Sequence, residues 1–155
     1  MALTAIDSNV LVKANGTDYS DQCMVVSRDI IDACIKGHRT VALDSLNLVM
    51  SEYSQVCRGN QSGMGSAFVK WLYQYQWEKC KHVTITPTNG HPILFDEIPT
   101  GQGIEGFDPN DQKFLAVALA AGGRCVIINA TDSDWEDYRT PIEQLGVRID
   151  SLCLS

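Results

Sequence analysis

Five acidic residues stand out because their positions along the chain could bring their carboxylates together. They are Asp7, Glu52, Asp111, Asp132 and Asp134. The first acid and the 132–134 pair each follow an apolar run that predicts a buried strand, whereas the other two lie in helical patterns. The carboxyl ends of parallel strands meet at one edge of an α/β sheet, where such folds place their sites. We therefore expect the five carboxylates to lie close together.

A cluster of carboxylates is costly unless a cation offsets its charge. Two unit charges about 5 Å apart repel by roughly 3 kcal/mol at an effective dielectric of 20. A hard divalent ion such as Mg²⁺ or Mn²⁺ prefers oxygen ligands and would remove this repulsion. The pattern therefore predicts a metal-dependent site of the kind that hydrolyses phosphodiester bonds.

Length and composition indicate one folded domain over residues 1–155, because 45% of the residues are hydrophobic and 20% are charged. No apolar run approaches the roughly 20 residues that a membrane span needs. The N-terminal residues carry no positive charge ahead of an apolar stretch, so no signal peptide is predicted. We expect a cytoplasmic protein with no membrane segment.

The net charge of −7 argues against a broad basic surface and against tight unaided binding to nucleic acid. The five candidate site acids account for much of this charge. Without them, 14 of the 19 acidic residues remain against 12 basic residues, which is close to neutrality. The acidity is therefore concentrated in the predicted site.

Six cysteines are widely spaced and form no C-x-x-C pair: Cys23, Cys34, Cys57, Cys80, Cys125 and Cys153. Two of them, at 34 and 125, lie inside apolar patterns, where cysteine behaves as a small hydrophobic residue. Neither the spacing nor the expected compartment favours a zinc site or a disulfide. We expect free thiols.

Predicted strands alternate with predicted helices along the whole chain. The predicted strands cover about 3–7, 40–43, 82–86, 124–129 and 147–149. Two helices are predicted over 20–36 and 66–79, and three more are predicted to begin near residues 45, 108 and 140. This alternation favours an α/β fold with a mainly parallel sheet covered on both faces, a three-layer α/β/α sandwich. The segments 58–65 and 87–107 read as loops, and no role is predicted for them.

Each acid also has a structural explanation. Asp108 followed by proline is a strong helix start, and Asp44 after a strand is most simply a helix cap. Asp111 near a helix N-terminus would stabilise the helix dipole with no chemistry. The acids at 132 and 134 suit an Asx turn. The metal hypothesis therefore depends on all the acids converging.

Four blocks of this chain resemble the PIN-domain nucleases in order and approximate spacing. They are residues 5–12, Glu52 in mid-helix, residues 111–118, and Asp132-x-Asp134-Trp135. The resemblance spans nearly the whole chain and implies a metal-dependent ribonuclease with a parallel sheet. The two loop segments make this chain longer than the compact toxins of that family.

The resemblance also implies roles for single residues. The acidic quartet that holds one or two Mg²⁺ or Mn²⁺ ions would be Asp7, Glu52, Asp111 and Asp132. Asp134 would be an additional ligand, and Asn9 would support the first acid. Trp135 stands where the family usually has Phe.

The resulting expectation is an endoribonuclease that hydrolyses RNA, in a family that includes toxins with antitoxin partners. The alternative is a non-catalytic PIN-like module that binds RNA or protein and has an incomplete metal site. PIN domains often pair two-fold, and the aromatic segment 66–77 offers Trp71, Tyr75 and Trp77 as apolar surface for a homodimer or an antitoxin.

Overall fold

A computed structural model describes residues 3–59, 62–90 and 94–154. Within this part of the chain, five strands form one sheet: β1 (Leu3–Ile6), β2 (Thr40–Asp44), β3 (Lys81–Val83), β4 (Cys125–Asn129) and β5 (Arg148–Ser151). All neighbouring strands are parallel, in the order β3-β2-β1-β4-β5. The predicted α/β fold with a parallel sheet is confirmed.

Helices flank the sheet in a three-layer α/β/α arrangement, as expected. In the described residues they are α1 (Ser8–Ala14), α2 (Gln22–Ile35), α3 (Leu48–Val56), α4 (Met64–Lys79), α5 (Gln112–Ala120), α6 (Ser133–Asp137) and α7 (Arg139–Gln144). None of these helices has the length and hydropathy needed to span a membrane.

The strand order places a topological switch point between β1 and β4. From β1 the chain proceeds outwards through β2 and β3, and then returns to the other side of β1 as β4 and β5. Ile6 is in register with Ile128, and the backbone N–H of Asp7 donates to the carbonyl of Ile128 at 2.9 Å. Ligands of open α/β sheets bind in the crevice at such a point.

The central strands are buried on both faces, which explains why they read as continuous apolar runs rather than alternating ones. Ile6, Ile127 and Ile128 are fully buried. The largest buried side chains beside the sheet are aromatic: Trp135, Tyr53, Phe68, Phe107 and Phe114. This packing gives the carboxyl ends of β1 and β4 a rigid support.

Two short helices were not predicted, and both begin directly after a site acid. Asp7 is the N-cap of α1, and Asp132 is the N-cap of α6. Each carboxylate accepts a backbone N–H two residues later, the same contact that an Asx turn makes. Local sequence therefore does not distinguish the turn from the first turn of a helix.

Strand β3 ends at Val83, earlier than the predicted strand over 82–86. The backbone beyond it pairs with a loop instead of with β2. The N–H of Thr86 donates to the Glu97 carboxylate at 2.8 Å, and the N–H of Asp96 donates to the Thr86 carbonyl at 2.8 Å. Part of the predicted loop over 87–107 thus closes on the chain that precedes it, while residues 91–93 lie outside the described residues.

The glycine-rich segment 58–65 is partly helical, since α4 begins at Met64, two residues earlier than predicted. A Cβ on Gly65 would lie 2.2 Å from the carbonyl oxygen of Leu11, so only glycine lets α4 approach α1 this closely. The Asn15 side chain accepts the backbone N–H of Ser66 at 2.9 Å and joins the same two helices. Residues 60–61 lie outside the described residues.

The expectation that every cysteine is a free thiol is wrong for one pair. Cys23 and Cys153 form a disulfide with a Cα–Cα distance of 5.2 Å, although 130 residues separate them in sequence. The chain that follows β5 lies beside the first turn of α2. This proximity follows from the order of the strands in the sheet, which local sequence does not show. The other four cysteines are free, as predicted.

Candidate metal centre

Carboxylates converge at the carboxyl edge of the sheet in two groups that share Asp111. One oxygen from each of Asp7, Asp111 and Asp132 lies within 4.8 Å of the others, and the same holds for Asp108, Asp111 and Asp134. The structure therefore brings together four of the five predicted acids and adds Asp108. Glu52 belongs to neither group.

Asp7 is the most deeply placed acid of the cluster, with an exposure of 2%. Its Oδ1 accepts the backbone N–H of Asn9 at 3.1 Å, and its Oδ2 accepts the indole N–H of Trp135 at 2.6 Å. Two donors from different elements thus fix the carboxylate where β1 ends and α1 begins.

Asp132 is oriented by the polar end of β4. Its backbone N–H donates to Oδ1 of Asn129 at 3.1 Å, and Nδ2 of Asn129 donates back to its carbonyl at 2.8 Å. Its own Oδ1 accepts the N–H of Asp134 at 2.9 Å, which begins α6. The loop after β4 therefore fixes the positions of Asp132 and Asp134 relative to each other.

Asn9 links the two strand ends that carry the site. Its Nδ2 donates to Oδ1 of Asn129 at 2.9 Å, and its Oδ1 accepts the N–H of Ala130 at 2.8 Å. Its contact with Asp7 is made by the backbone N–H and not by the side chain. The predicted supporting residue thus acts mainly by joining α1 to β4.

A one-turn 3-10 helix over Pro109–Asp111 positions the shared acid. Asp108 caps this turn by accepting the N–H of Asn110 at 2.9 Å, as the sequence predicted. Asp111 then lies at the N-terminus of α5 with 6% exposure. Its Oδ2 is buried and has no hydrogen-bond partner among the described residues. A buried carboxylate oxygen without a donor is costly, and this one is placed among other acids as a metal ligand would be.

Burial and mutual repulsion favour the protonated forms of the central acids. The pKa of Asp7 is raised from 3.8 to about 6, mainly by burial; the hydrogen bonds from Trp135 and Asn9 oppose this rise, and the charges of Asp132 and Glu52 add to it. The pKa of Asp111 rises to about 9, first because of burial and then because of the nearby Asp7 and Asp132 carboxylates. A bound cation would act in the opposite direction, since a nearby positive charge favours the ionised carboxylates.

Glu52 lies beside the cluster but is paired with a cation of the chain itself. Its Oε1 contacts Nζ of Lys113 at 2.5 Å, and both side chains are mostly buried, at 19% and 16% exposure. The same Nζ donates to the carbonyl of Asn110 at 2.7 Å. Glu52 is near enough to Asp7 for its charge to raise the pKa of that acid. The predicted fourth ligand is therefore adjacent to the carboxylate groups and engaged elsewhere.

Polar contacts hold helix α3 against the ends of β1 and β2. The Tyr53 hydroxyl donates to the carbonyl of Ile6 at 2.5 Å. The Asp44 carboxylate accepts the N–H groups of Leu48 and Val49 at 2.9 and 2.8 Å, which confirms its predicted capping role. These contacts fix α3, which carries Glu52, at the carboxyl edge of the sheet.

Three contributors were not assigned to the site from sequence. The sequence predicts a capping role for Asp108, and its place three residues before Asp111 in a tight turn is the signal for a role in the site. Asn129 is a polar residue that ends an apolar strand. Trp135 departs from the family pattern, and nothing local predicts that its indole N–H reaches Asp7.

The aromatic segment 66–77 is only partly a surface. Trp71 stacks on Phe68 at 5.9 Å between ring centroids and is partly buried. Trp77 is 78% exposed and stacks on His82 at 4.1 Å. Tyr75 is partly buried and packs on Trp71 at 5.8 Å between ring centroids. The exposed side chains of Tyr73 and Trp77 do not by themselves identify a partner, so the homodimer and the antitoxin complex stay predictions.

Comparison with known proteins finds no match to this chain among family models, curated proteins or solved structures. The resemblance to PIN-domain nucleases therefore rests on the residues quoted from the sequence.

Proposed function

We propose that this protein is a metal-dependent phosphodiesterase that cleaves RNA, in the manner of the PIN-domain nucleases that its sequence resembles. One observation supports this proposal more than any other. Oδ2 of Asp111 is buried and has no hydrogen-bond donor among the described residues, and Asp111 is the residue that belongs to both carboxylate groups. An oxygen in that position is costly in a purely structural cluster, and a cation gives it a partner.

The donor set fits a hard divalent cation, because every candidate ligand atom is a carboxylate oxygen. Asp7, Asp111 and Asp132 would hold Mg²⁺ or Mn²⁺, with Asp134 and Asp108 on the more exposed side. A cation bound there would supply Lewis acidity, lowering the pKa of water and offsetting charge on the phosphate.

The protein's own contribution is to hold these oxygens in place before a ligand arrives. The Trp135 indole and the Asn9 amide orient Asp7, and Asn129 orients Asp132. The ion pair with Lys113 keeps the Glu52 charge balanced beside the cluster. Such hydrogen-bonded support of metal ligands typically governs affinity and activity.

A specific observation favours the second candidate, a PIN-like module that binds RNA or protein without catalysis. Glu52 is the acid that the resemblance assigns to the quartet, and Lys113 neutralises it. If this pair persists when a cation binds, the ligand set lacks one carboxylate. Metal binding without cleavage would then be the result.

The deciding experiment compares two variants that lose the same charge in different places. Asp111→Asn removes the shared ligand, whereas Asp150→Asn neutralises an exposed acid on β5. Titration calorimetry with Mn²⁺ should show binding by wild type and Asp150→Asn and a loss of at least tenfold in affinity for Asp111→Asn, because mutation of a residue that merely supports a metal ligand typically costs about 10–100-fold.

Cleavage of single-stranded RNA with Mn²⁺, measured on the same three preparations, should follow metal binding. Activity that survives in Asp111→Asn would contradict the proposed site. Binding of Mn²⁺ by wild type without cleavage of RNA would favour the non-catalytic module, and absence of Mn²⁺ binding would reject the metal site itself.

A further inference from the structure

A cavity of about 200 Å³ lies beside the candidate metal centre, between the segment 94–105 and the start of α5. Its walls are mainly apolar and include Phe95, Ile98 and Ile104, while Gln112 and Glu105 provide polar groups. Phe95 and Ile104 are themselves buried, at 3% and 4% exposure, so packed side chains of the core form part of the cavity walls.

The cavity and the carboxylate groups share the beginning of α5. Gln112 lines the cavity and directly follows Asp111, which belongs to both groups. Consecutive Cα atoms are about 3.8 Å apart, so the two features adjoin. A ligand that contacts both Asp111 and Gln112 would have one part at the carboxylates and a neighbouring part in the cavity.

The charges of the described lining argue against a phosphate as the occupant. None of the described residues that line the cavity is basic, and Glu105 is acidic. An anion entering the cavity would find no counter-charge among these residues and would meet a carboxylate. A neutral, largely apolar group fits better, and a flat ring with polar edge atoms combines both requirements.

Gln112 gives the cavity a hydrogen-bond acceptor of fixed direction. Its Nε2 donates to the carbonyl of Phe107 at 3.2 Å, and this contact determines which end of the amide is the oxygen. Oε1 accepts no hydrogen bond from the residues that the structure describes. A ligand bearing an N–H₂ group on its ring can therefore donate to Oε1. A ring whose edge carries mainly carbonyl oxygens would bring hydrogen-bond acceptors against two other acceptors, Oε1 and the Glu105 carboxylate, and would bind less well.

We propose that this cavity binds one unpaired nucleobase that carries an exocyclic amino group, such as adenine or cytosine, next to the phosphate at the carboxylates. This inference rests on the proposed function, because the nucleobase would belong to the RNA strand being cleaved. A base must leave its stack to enter such a cavity, which selects single-stranded RNA. The protein then discriminates the bases that carry an amino group, adenine, cytosine and guanine, from uracil, which carries none.

Binding of nucleosides tests the cavity without requiring cleavage. Adenosine and the purine nucleoside that lacks the amino group differ by one hydrogen-bond donor and can be titrated into ¹⁵N-labelled protein in EDTA. Adenosine should shift the Gln112 side-chain amide resonances, and the analogue should bind roughly two- to tenfold more weakly, the usual worth of one hydrogen bond.

Two variants change the cavity in different ways. Gln112→Leu removes the acceptor and keeps an apolar wall, and Thr100→Trp obstructs the cavity from an exposed residue of its lining. The matched control is Gln74→Leu, the same substitution at an exposed position of α4. Gln112→Leu should abolish the preference for adenosine. Thr100→Trp should weaken the binding of both nucleosides, and Gln74→Leu should bind both with the affinities of wild type. Equal affinity of wild type for the two nucleosides would overturn the proposal.

Cleavage of RNA separates failure of this inference from failure of the proposed function. With Mn²⁺, wild type should cleave single-stranded RNA beside adenine or cytosine in preference to uracil, and Gln112→Leu should lose that preference. Cleavage without a base preference would overturn the inference and leave the nuclease in place. Selective binding of adenosine by a protein that cleaves no RNA would reject the proposed nuclease and retain the amino-selective base site.

Discussion

Trp135 donates its indole N–H to Oδ2 of Asp7 at 2.6 Å, across 128 residues of sequence. Both side chains are buried, and the Trp135 ring packs edge-on against Phe107 at 4.9 Å between centroids. The aromatic core under α6 is thus connected directly to the deepest acid of the site. This bond lowers the pKa of Asp7 and partly offsets the effect of burial.

Trp135→Phe should reduce the stability and the metal affinity of the protein together. It leaves Oδ2 of Asp7 buried without its donor, which typically costs about 1–3 kcal/mol. Urea unfolding in EDTA measures the loss of stability, and calorimetry with Mn²⁺ measures the affinity. The control is Trp77→Phe at the 78% exposed tryptophan, where little change is expected. Equal losses in the two variants would contradict the role assigned to the Asp7 contact.

Asp7→Asn and Asp111→Asn should have opposite effects on stability without metal. Both oxygens of Asp7 accept hydrogen bonds, so an amide there turns an N–H₂ group towards either Asn9 or Trp135. Oδ2 of Asp111 has no donor among the described residues, and the side chain lies within hydrogen-bonding reach of Asp132, so an amide there loses no donor and can itself donate to the Asp132 carboxylate.

We expect Asp111→Asn to be more stable than wild type by about 1–3 kcal/mol near neutral pH, because the folded protein no longer has to keep this carboxyl protonated well above the pKa that it has in the unfolded chain. We expect Asp7→Asn to be less stable by a similar amount, about 1–3 kcal/mol for an unsatisfied buried donor. Chemical unfolding in EDTA gives both values. Destabilisation by Asp111→Asn would contradict the account of the cluster.

The stability of the metal-free protein should fall as the pH rises from about 5 to about 9. The folded-state pKa values of Asp7 and Asp111 are raised from 3.8 to about 6 and about 9, so the folded protein holds protons that the unfolded chain has released. Stability falls with pH wherever the folded state binds more protons. Unfolding in EDTA at several pH values tests this, and Asp111→Asn should flatten the slope above about pH 6. A stability that rises with pH in EDTA would oppose the prediction.

Lys113→Met should destabilise the protein by leaving Glu52 mostly buried without its counter-charge. Breaking a buried pair typically costs about 3–5 kcal/mol, and partial exposure here reduces the expected loss to about 1–3 kcal/mol. The double variant Lys113→Met, Glu52→Gln should recover most of that loss, because no unpaired charge remains. Urea unfolding of the four members of the cycle measures the coupling. Additive effects would mean that the 2.5 Å contact contributes nothing to folding.

Much of the fold was predictable because β1 and β4 are apolar runs that end in polar residues. The cap at Asp108 and the one at Asp44 were equally readable, since each depends on residues close in sequence. The helices α1 and α6 were not predicted, because an aspartate followed by a free N–H two residues later suits a turn as well as a helix start. These misses reflect an ambiguity of local chemistry.

The site was predictable as a set of acids but not as a geometry. Convergence of Asp7, Asp111 and Asp132 follows from strand ends and a helix start, which a parallel sheet brings to one edge. The pairing of Glu52 with Lys113 depends on how α3 packs relative to α5, and the Cys23–Cys153 disulfide depends on strand order. Neither tertiary relationship leaves a signal in local spacing.

The most direct test of the metal centre is thermal unfolding at pH 7 with and without Mn²⁺. A cation that binds only the folded protein stabilises it by about 2.7 kcal/mol at a hundredfold excess over Kd. We expect the Tm of wild type to rise with millimolar Mn²⁺ and the Tm of Asp111→Asn to stay nearly constant. An unchanged wild-type Tm at millimolar Mn²⁺ would contradict the account and would make the clustered acids structural.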